Sequence, residues 1–216
     1  MIKAMILDFD GLIIDTESTW YRAFYDVLSS YDIPFTESEF SQFIGAHEHH
    51  FFQYLHKKVG HLVDDERIKM EAYEKHRELM KTQPLRDGVL DYLQEAKEDG
   101  LKIGLATSSS IDWVSNFLQP FQIDHYFEVM MTRENVTNIK PHPDLYVKAV
   151  KRLGVHPTEA IAFEDSVNGA KAAKNAGVKC VIVPNETTKH LTFPPVDLRI
   201  NSMKDLSLKE VIAKVN

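Results

Sequence analysis

At 216 residues the chain is long enough for one substantial core, or for one core carrying a smaller satellite, and too short for two equal domains of ordinary size. A hydrophobic content of 44% with 26% charged residues excludes the disordered and fibrous classes, and no apolar stretch approaches the roughly 20 residues of a membrane span. The formal net charge of -7 provides no basic footprint for nucleic acid, so small solutes are the expected partners. The single cysteine, Cys180, lies in the apolar run 178–183 and reads as a core hydrophobe, which fits a reducing cytoplasm.

Ala4 to Leu7 is a short apolar run that stops at Asp8-Phe9-Asp10-Gly11, as a strand does at the edge of a sheet. Asp8 and Asp10 interrupt this run, so it is not read as a signal peptide. From about Ser18 to Lys81 apolar residues recur at helical spacing, among them Trp20, Phe24, Val27 and Leu28, then Phe51, Phe52, Leu55 and Val59. This segment is predicted to be an all-helical insert, hinged at residues 14–17 and again near 82–85, where Pro84 biases its neighbour away from helix. The charged stretch 64–81 is expected to be a solvated helix of that insert. Beyond it, apolar runs at 101–106, 129–131, 160–163 and 178–183 alternate with amphipathic segments, which signals βαβ units and a parallel sheet. Gly100, Gly154 and Gly177 each stand between a helical pattern and the next strand, where a left-handed cap is expected.

Ligands of a doubly wound sheet bind beyond the carboxyl ends of its strands. Four polar clusters fall at these ends: Asp8 with Asp10, Thr107-Ser108-Ser109-Ser110, Lys140-Pro141, and Glu164-Asp165. At about 4 Å and an effective dielectric near 20, each like-charge pair among the four carboxylates costs on the order of 4 kcal/mol, so one lysine cannot hold them together. A divalent cation can, and a donor set of oxygens without cysteine or clustered histidine selects a hard ion such as Mg²⁺. Glu164-Asp165 also has a plain reading as a helix N-cap pair, Ser and Thr at 107–110 as caps, and Lys140 as a surface lysine. Asp15, in the hinge, is read as structural or as a helix cap.

The ordered set Asp8-Phe9-Asp10-Gly11-Leu12-Ile13-Ile14-Asp15-Thr16-Glu17, Ala106-Thr107-Ser108-Ser109, Lys140-Pro141 and Phe163-Glu164-Asp165-Ser166 resembles the haloacid dehalogenase superfamily. The likeness is to its phosphatases and phosphosugar mutases, of the beta-phosphoglucomutase and phosphoglycolate phosphatase type, with a helical cap after the first strand. It implies a Rossmann-like core of residues 1–15 and 83–216 and a cap of residues 16–82. It also implies an Mg²⁺-dependent phosphatase in which Asp8 is the nucleophile and forms an aspartyl-phosphate, while Asp10 is the general acid and base. Asp8, the main-chain carbonyl of Asp10, Glu164 and Asp165 would surround the metal, and Thr107, Ser108, Ser109 and Lys140 would hold the phosphoryl oxygens. The expected substrate is a small phosphorylated metabolite such as a sugar phosphate, phosphoglycolate or a nucleotide, and the expected state a monomer or weak homodimer.

Related mutases carry a histidine in the first cap helix where this chain has Trp20, and an arginine where it has Ala46 or His47; both departures favour hydrolysis over transfer. A mutase remains the alternative, and a binding protein without turnover a third reading. His47-Glu48-His49-His50 lacks the second histidine four positions on that a zinc-protease helix requires, because position 51 is Phe51.

Overall fold

The computed structural model describes residues 1–44, 48–60 and 64–216. Within them, β1 (Ala4–Leu7), β2 (Lys102–Ala106), β3 (Val129–Met131), β4 (Ala160–Glu164), β5 (Lys179–Ile182) and β6 (Leu198–Arg199) form one sheet in the order β3-β2-β1-β4-β5-β6. Every pairing is parallel. The chain moves outward from β1 through β2 to β3 and then crosses back to build β4, β5 and β6 on the other side. The direction therefore reverses between β1 and β4, and a crevice opens there at the carboxyl ends.

Successive side chains of a strand point to opposite faces, and in β1 both sets are buried. Met5 and Leu7 pack on one face with α5 (Val89–Glu98), α6 (Ile111–Leu118) and α9 (Leu208–Val215). Ala4 and Ile6 pack on the other with α7 (Asp144–Leu153) and α8 (Val167–Asn175), where Cys180 is also buried. The predicted strands thus sit where expected, within a residue or two at their ends. The two-residue β6 carries no periodicity to read. Gly100, Gly154 and Gly177 adopt positive φ as predicted.

Between β1 and α5 the described residues contribute helices and no strand to the sheet, as predicted: α1 (Thr16–Ser30), α2 (Glu37–Phe40), α3 (Glu48–Val59) and α4 (Asp65–Met80). They share an aromatic-rich core of their own that includes Phe24, Phe35, Phe40, Phe51 and Phe52. This is the helical cap inserted into the Rossmann-like α/β core. Asp15 caps α1 by accepting from the Ser18 N–H at 3.0 Å. The two connecting segments lie side by side, with Ile14 and Leu85 paired in an antiparallel bridge and the Arg86 N–H donating to the Ile13 carbonyl at 2.9 Å. Arg86 then donates to the carbonyls of Gly11, Val183 and Pro184, tying the end of the β1 loop to the end of β5.

The stretch 64–81 departs from its expected solvation. Ile68, Ala72, His76 and Met80 recur every four residues on α4 and are buried. Residues four apart share a helix face, so the charges surround a narrow packing stripe.

Candidate active site

The carboxyl ends of β1 and β4 place the acidic residues. The Asp8 N–H donates to the Phe163 carbonyl at 3.1 Å, carrying the ladder one residue past β1 and setting Asp8 beside Glu164 and Asp165. Gly11 then turns the chain with φ of 77°, and a Cβ there would stand 2.1 Å from Asp165 Oδ2. Ser166, rather than the acidic pair before it, caps α8 by accepting from the Gly169 N–H at 3.1 Å. Glu164 and Asp165 are thereby left to other partners.

Lys140, from the loop after β3, joins them. Its Nζ is 2.5 Å from Asp8 Oδ1 and 2.7 Å from Glu164 Oε1. Glu164 is fully buried; it also accepts from the Tyr146 hydroxyl at 2.5 Å and from Ser166 Oγ at 3.3 Å. Asn185 Nδ2 donates to Asp165 Oδ2 at 2.7 Å, while Asp165 Oδ1 is buried and has no hydrogen-bond partner. Asp8, Glu164 and Asp165 offer oxygens within 4.8 Å of one another.

Burial raises the carboxyls of all three acids, that of Glu164 to about 7, and repulsion from neighbouring carboxyls, Asp10 on Asp8 and Asp8 on the other two, adds to it. Burial alone would lower Lys140, yet Asp8 and Glu164 together hold it above the usual lysine range, so it stays charged. With all three ionised, one ammonium would leave two negative charges uncompensated among buried side chains. A divalent cation is the charge this cluster lacks, and the unpartnered Asp165 oxygen is a ready ligand for it. The residues fit a hard metal ion.

Gly169 supports the same cluster from α8. A Cβ there would fall 1.8 Å from Glu164 Oε2, so Gly169→Ala must displace a carboxylate that has nowhere to go. The variant is expected to lose about 2 kcal/mol or more of stability, as buried polar networks do when broken, and to bind an added divalent ion more weakly than the native chain. Denaturant unfolding and a metal titration check both.

Asp10 faces a different group. Trp113 Nε1 donates to its Oδ1 at 2.8 Å, and Oδ2 receives the Ser109 hydroxyl at 2.5 Å and the Thr107 hydroxyl at 3.4 Å. Thr107 Oγ1 in turn accepts from the Ser109 N–H at 3.0 Å, and Ser110 caps α6. The predicted residues Asp8, Asp10, Thr107, Ser108, Ser109, Lys140 and Asp165 all line one cavity of about 460 Å³, and Glu164 lies behind its wall. Trp20, Ile44 and Tyr73 close it from the cap, and Glu17 adds a carboxyl that burial and its acidic neighbours push up to about 8.

Trp113, Tyr146, Asn185 and His76 were not legible as site residues. The first three act through hydrogen bonds to residues far away in sequence. His76 reaches the site by stacking: its ring lies 3.7 Å from that of Trp20, nearly parallel, and 5.7 Å from that of Trp113. Its four-residue spacing from Ala72 and Met80 was the available signal. The arginine position expected at Ala46 or His47 lies outside the described residues, as does part of the His47–His50 cluster; His49 and His50 are exposed.

Burial holds the His76 imidazole down to about 4, despite a hydrogen bond with the Thr16 backbone. The unfolded chain takes this proton near pH 6.5, so the contribution of neutral His76 is whole above that pH. It is lost as pH falls towards 4, by up to about 3 kcal/mol. His76→Phe is expected to flatten the stability profile between pH 6.5 and 4 relative to the native chain, as measured by denaturant unfolding.

A capped, doubly wound α/β sheet with buried acids and a lysine at its switch point defines the class of the protein. Residues 5–183 match the family described as haloacid dehalogenase-like hydrolase, and the chain belongs to that family. It is 42% identical to YhcW of Bacillus subtilis over 217 residues, covering 100% of this chain and 99% of that protein. It is 32% identical to the phosphorylated carbohydrates phosphatase of Thermotoga maritima, over 82% of this chain and 83% of that one. Among solved structures it is similar to CbbY from Rhodobacter sphaeroides in complex with phosphate. That similarity has a TM-score of 0.76 and 29% identity, over 95% of this chain and 96% of that one.

Proposed function

We propose that this hydrolase is an Mg²⁺-dependent phosphatase of small phosphorylated metabolites. The observation that carries the reading is the arrangement of Asp8, Glu164 and Lys140 beside the unpartnered Asp165 oxygen. Asp8, Asp165, Glu164 and the main-chain carbonyl of Asp10 would hold the ion. Mg²⁺, when bound, offsets the repulsion between a carboxylate nucleophile and a phosphate dianion.

Lys140 holds one Asp8 oxygen, which orients the carboxylate and leaves the other oxygen for attack on phosphorus. The new O–P bond forms as the ester O–P bond breaks, and the leaving oxygen takes a proton from Asp10. Asp10, now ionised, takes a proton from water as that water attacks the aspartyl-phosphate. The bond from Asp8 to phosphorus breaks, and inorganic phosphate leaves. Thr107, Ser108, Ser109 and Lys140 hold the oxygens that stay on phosphorus.

Residues 16–82 act as the cap over residues 1–15 and 83–216, excluding water from the cavity and supplying Trp20, Ile44 and Tyr73 to contact the leaving group. Relatives named for phosphorylated carbohydrates and for hexitol phosphates support a sugar or polyol phosphate as substrate. Trp20, in place of the mutase histidine, favours water as the phosphoryl acceptor. No described helix is long and apolar enough to cross a membrane, and a reducing cytoplasm fits the buried lone Cys180.

The test is phosphate release across a panel of sugar phosphates, polyol phosphates, phosphoglycolate and nucleotides, with Mg²⁺ or with chelator. Release that requires the metal is expected. Silence with every ester, or release unaffected by chelator, contradicts the reading.

A further inference from the structure

Among the described residues no lysine touches Asp10, and its carboxyl is oriented by three neutral donors. Two of these are hydroxyls, which rotate and can donate or accept. The third is the Trp113 indole N–H, which can only donate, on a rigid ring. Its bond to Asp10 Oδ1 therefore has the same sense whether the carboxyl is protonated or ionised. The ring itself is braced on both sides: Phe117 meets it edge-on at 4.8 Å, and His76 of the cap stacks over it at 5.7 Å with an interplanar angle of 21°. His76 is stacked in turn on Trp20 at 3.7 Å and 7°. One pile of rings thus runs from α1 and α4 of the cap, through α6 of the core, to an oxygen of Asp10.

We propose that Trp113 is a positioning residue that fixes the plane of the Asp10 carboxyl, and that the cap reaches Asp10 through the Trp20–His76–Trp113 stack. This inference rests on the role of Asp10 as proton donor and acceptor given above. Trp113 transfers no proton itself; by holding Asp10 Oδ1 it sets the direction along which Asp10 meets the leaving oxygen and then the water. A cap swung away would take His76 off the Trp113 ring and leave that ring, and with it the Asp10 carboxyl, braced from the core side by Phe117.

Trp113→Phe keeps the ring and removes the N–H. Its kcat with an alkyl phosphate such as a hexitol phosphate is expected to fall roughly 10- to 100-fold with KM within about twofold, because positioning is lost and binding is not. With 4-nitrophenyl phosphate, whose leaving group needs no proton, the first-turnover burst of nitrophenolate should stay within about twofold of native, while later turnovers slow because water attack still needs Asp10. A burst reduced as much as the alkyl-phosphate rate would mark Trp113 as merely structural, and unchanged kinetics with both esters would equally overturn the proposal.

A second readout does not depend on turnover. The chain has two tryptophans, so its ¹⁵N-labelled form gives two indole N–H cross-peaks, assigned by replacing each ring. Asp10→Ala should move the Trp113 peak and leave that of Trp20 near its place; a stationary Trp113 peak refutes the hydrogen bond. For the cap arm, His76→Ala should move the same peak and lower kcat as Trp113→Phe does, whereas His76→Phe, which restores a stacking ring, should recover most of the rate. If His76→Ala changes neither, the coupling through the cap is wrong. Should the native chain release no phosphate from any ester, the hydrolytic reading fails by itself, and the cross-peaks still decide whether Trp113 holds Asp10.

Discussion

Replacing Asp8 with Asn is expected to lower phosphate release by at least about 10⁴-fold while leaving the fold intact. Asn is nearly the same size, so the packing at the end of β1 survives, and its amide oxygen can still accept from Lys140. The amide lacks the charge and the lone-pair strength of a carboxylate nucleophile, and two of the neighbouring carboxyls are already engaged. Glu164 is fully buried and held by Lys140, Tyr146 and Ser166, and Asp10 is held by Trp113, Ser109 and Thr107. Residual activity within about tenfold of native would mean that another group attacks phosphorus. Far-ultraviolet circular dichroism and a denaturation midpoint close to native would show that the loss is chemical.

Lys140→Met is expected to cost both activity and stability, the second in a pH-dependent way. The methionine fills most of the lysine volume, so the main change is charge. Without the ammonium, Asp8 and Glu164 remain buried and uncompensated, a situation that costs about 3 kcal/mol or more when one partner of a buried pair is removed. Glu164 is already raised to about 7 against 4.5 in an unfolded chain, so its neutral form is the one the fold favours. Stability tied to it is whole below pH 4.5 and declines as pH rises through 7. Removing Lys140 raises that carboxyl further, so the deficit of the variant relative to native should be small at pH 5 and largest near pH 8. Mg²⁺ should recover part of it at pH 8, because the ion supplies charge that the lysine no longer does. Activity should fall by at least about 10³-fold, since in the proposed mechanism this lysine orients Asp8 and neutralises the phosphoryl oxygens. A deficit that does not grow with pH, or one that Mg²⁺ leaves untouched, would contradict the charge account of the cluster.

Much of this site could be read from the chain because its chemistry restricts which residues can serve. Carboxylates, a lysine and hydroxyls at four successive strand ends are hard to explain by packing, and an apolar run followed by Asp8 announces both the strand and where it stops. The parallel sheet was equally legible, since strands buried on both faces appear as unbroken apolar runs. The groups that orient the site left weaker traces. Tyr146 lies on the buried stripe of α7, where an aromatic ring reads as core, and only the fold brings its hydroxyl to Glu164. Asn185 sits in the loop after β5, twenty residues from the Asp165 it holds, in a segment without periodicity. His76 was hidden by its neighbours: the charges of α4 dominate its composition, although the spacing of Ile68, Ala72, His76 and Met80 marks a buried stripe. Ser166 gives a plainer lesson. An acidic pair before a helix looks like its cap, yet the hydroxyl one residue on takes that place and frees Asp165 for its buried position.

The most direct test of the central claim is the mass of the protein quenched in acid during turnover of its best ester with Mg²⁺. The account predicts one added phosphoryl group per chain, located by fragmentation to the peptide carrying Asp8, and absent with chelator or in Asp8→Asn. Steady turnover with no phosphorylated chain at any quench time, or a phosphoryl group on a residue other than Asp8, would contradict it.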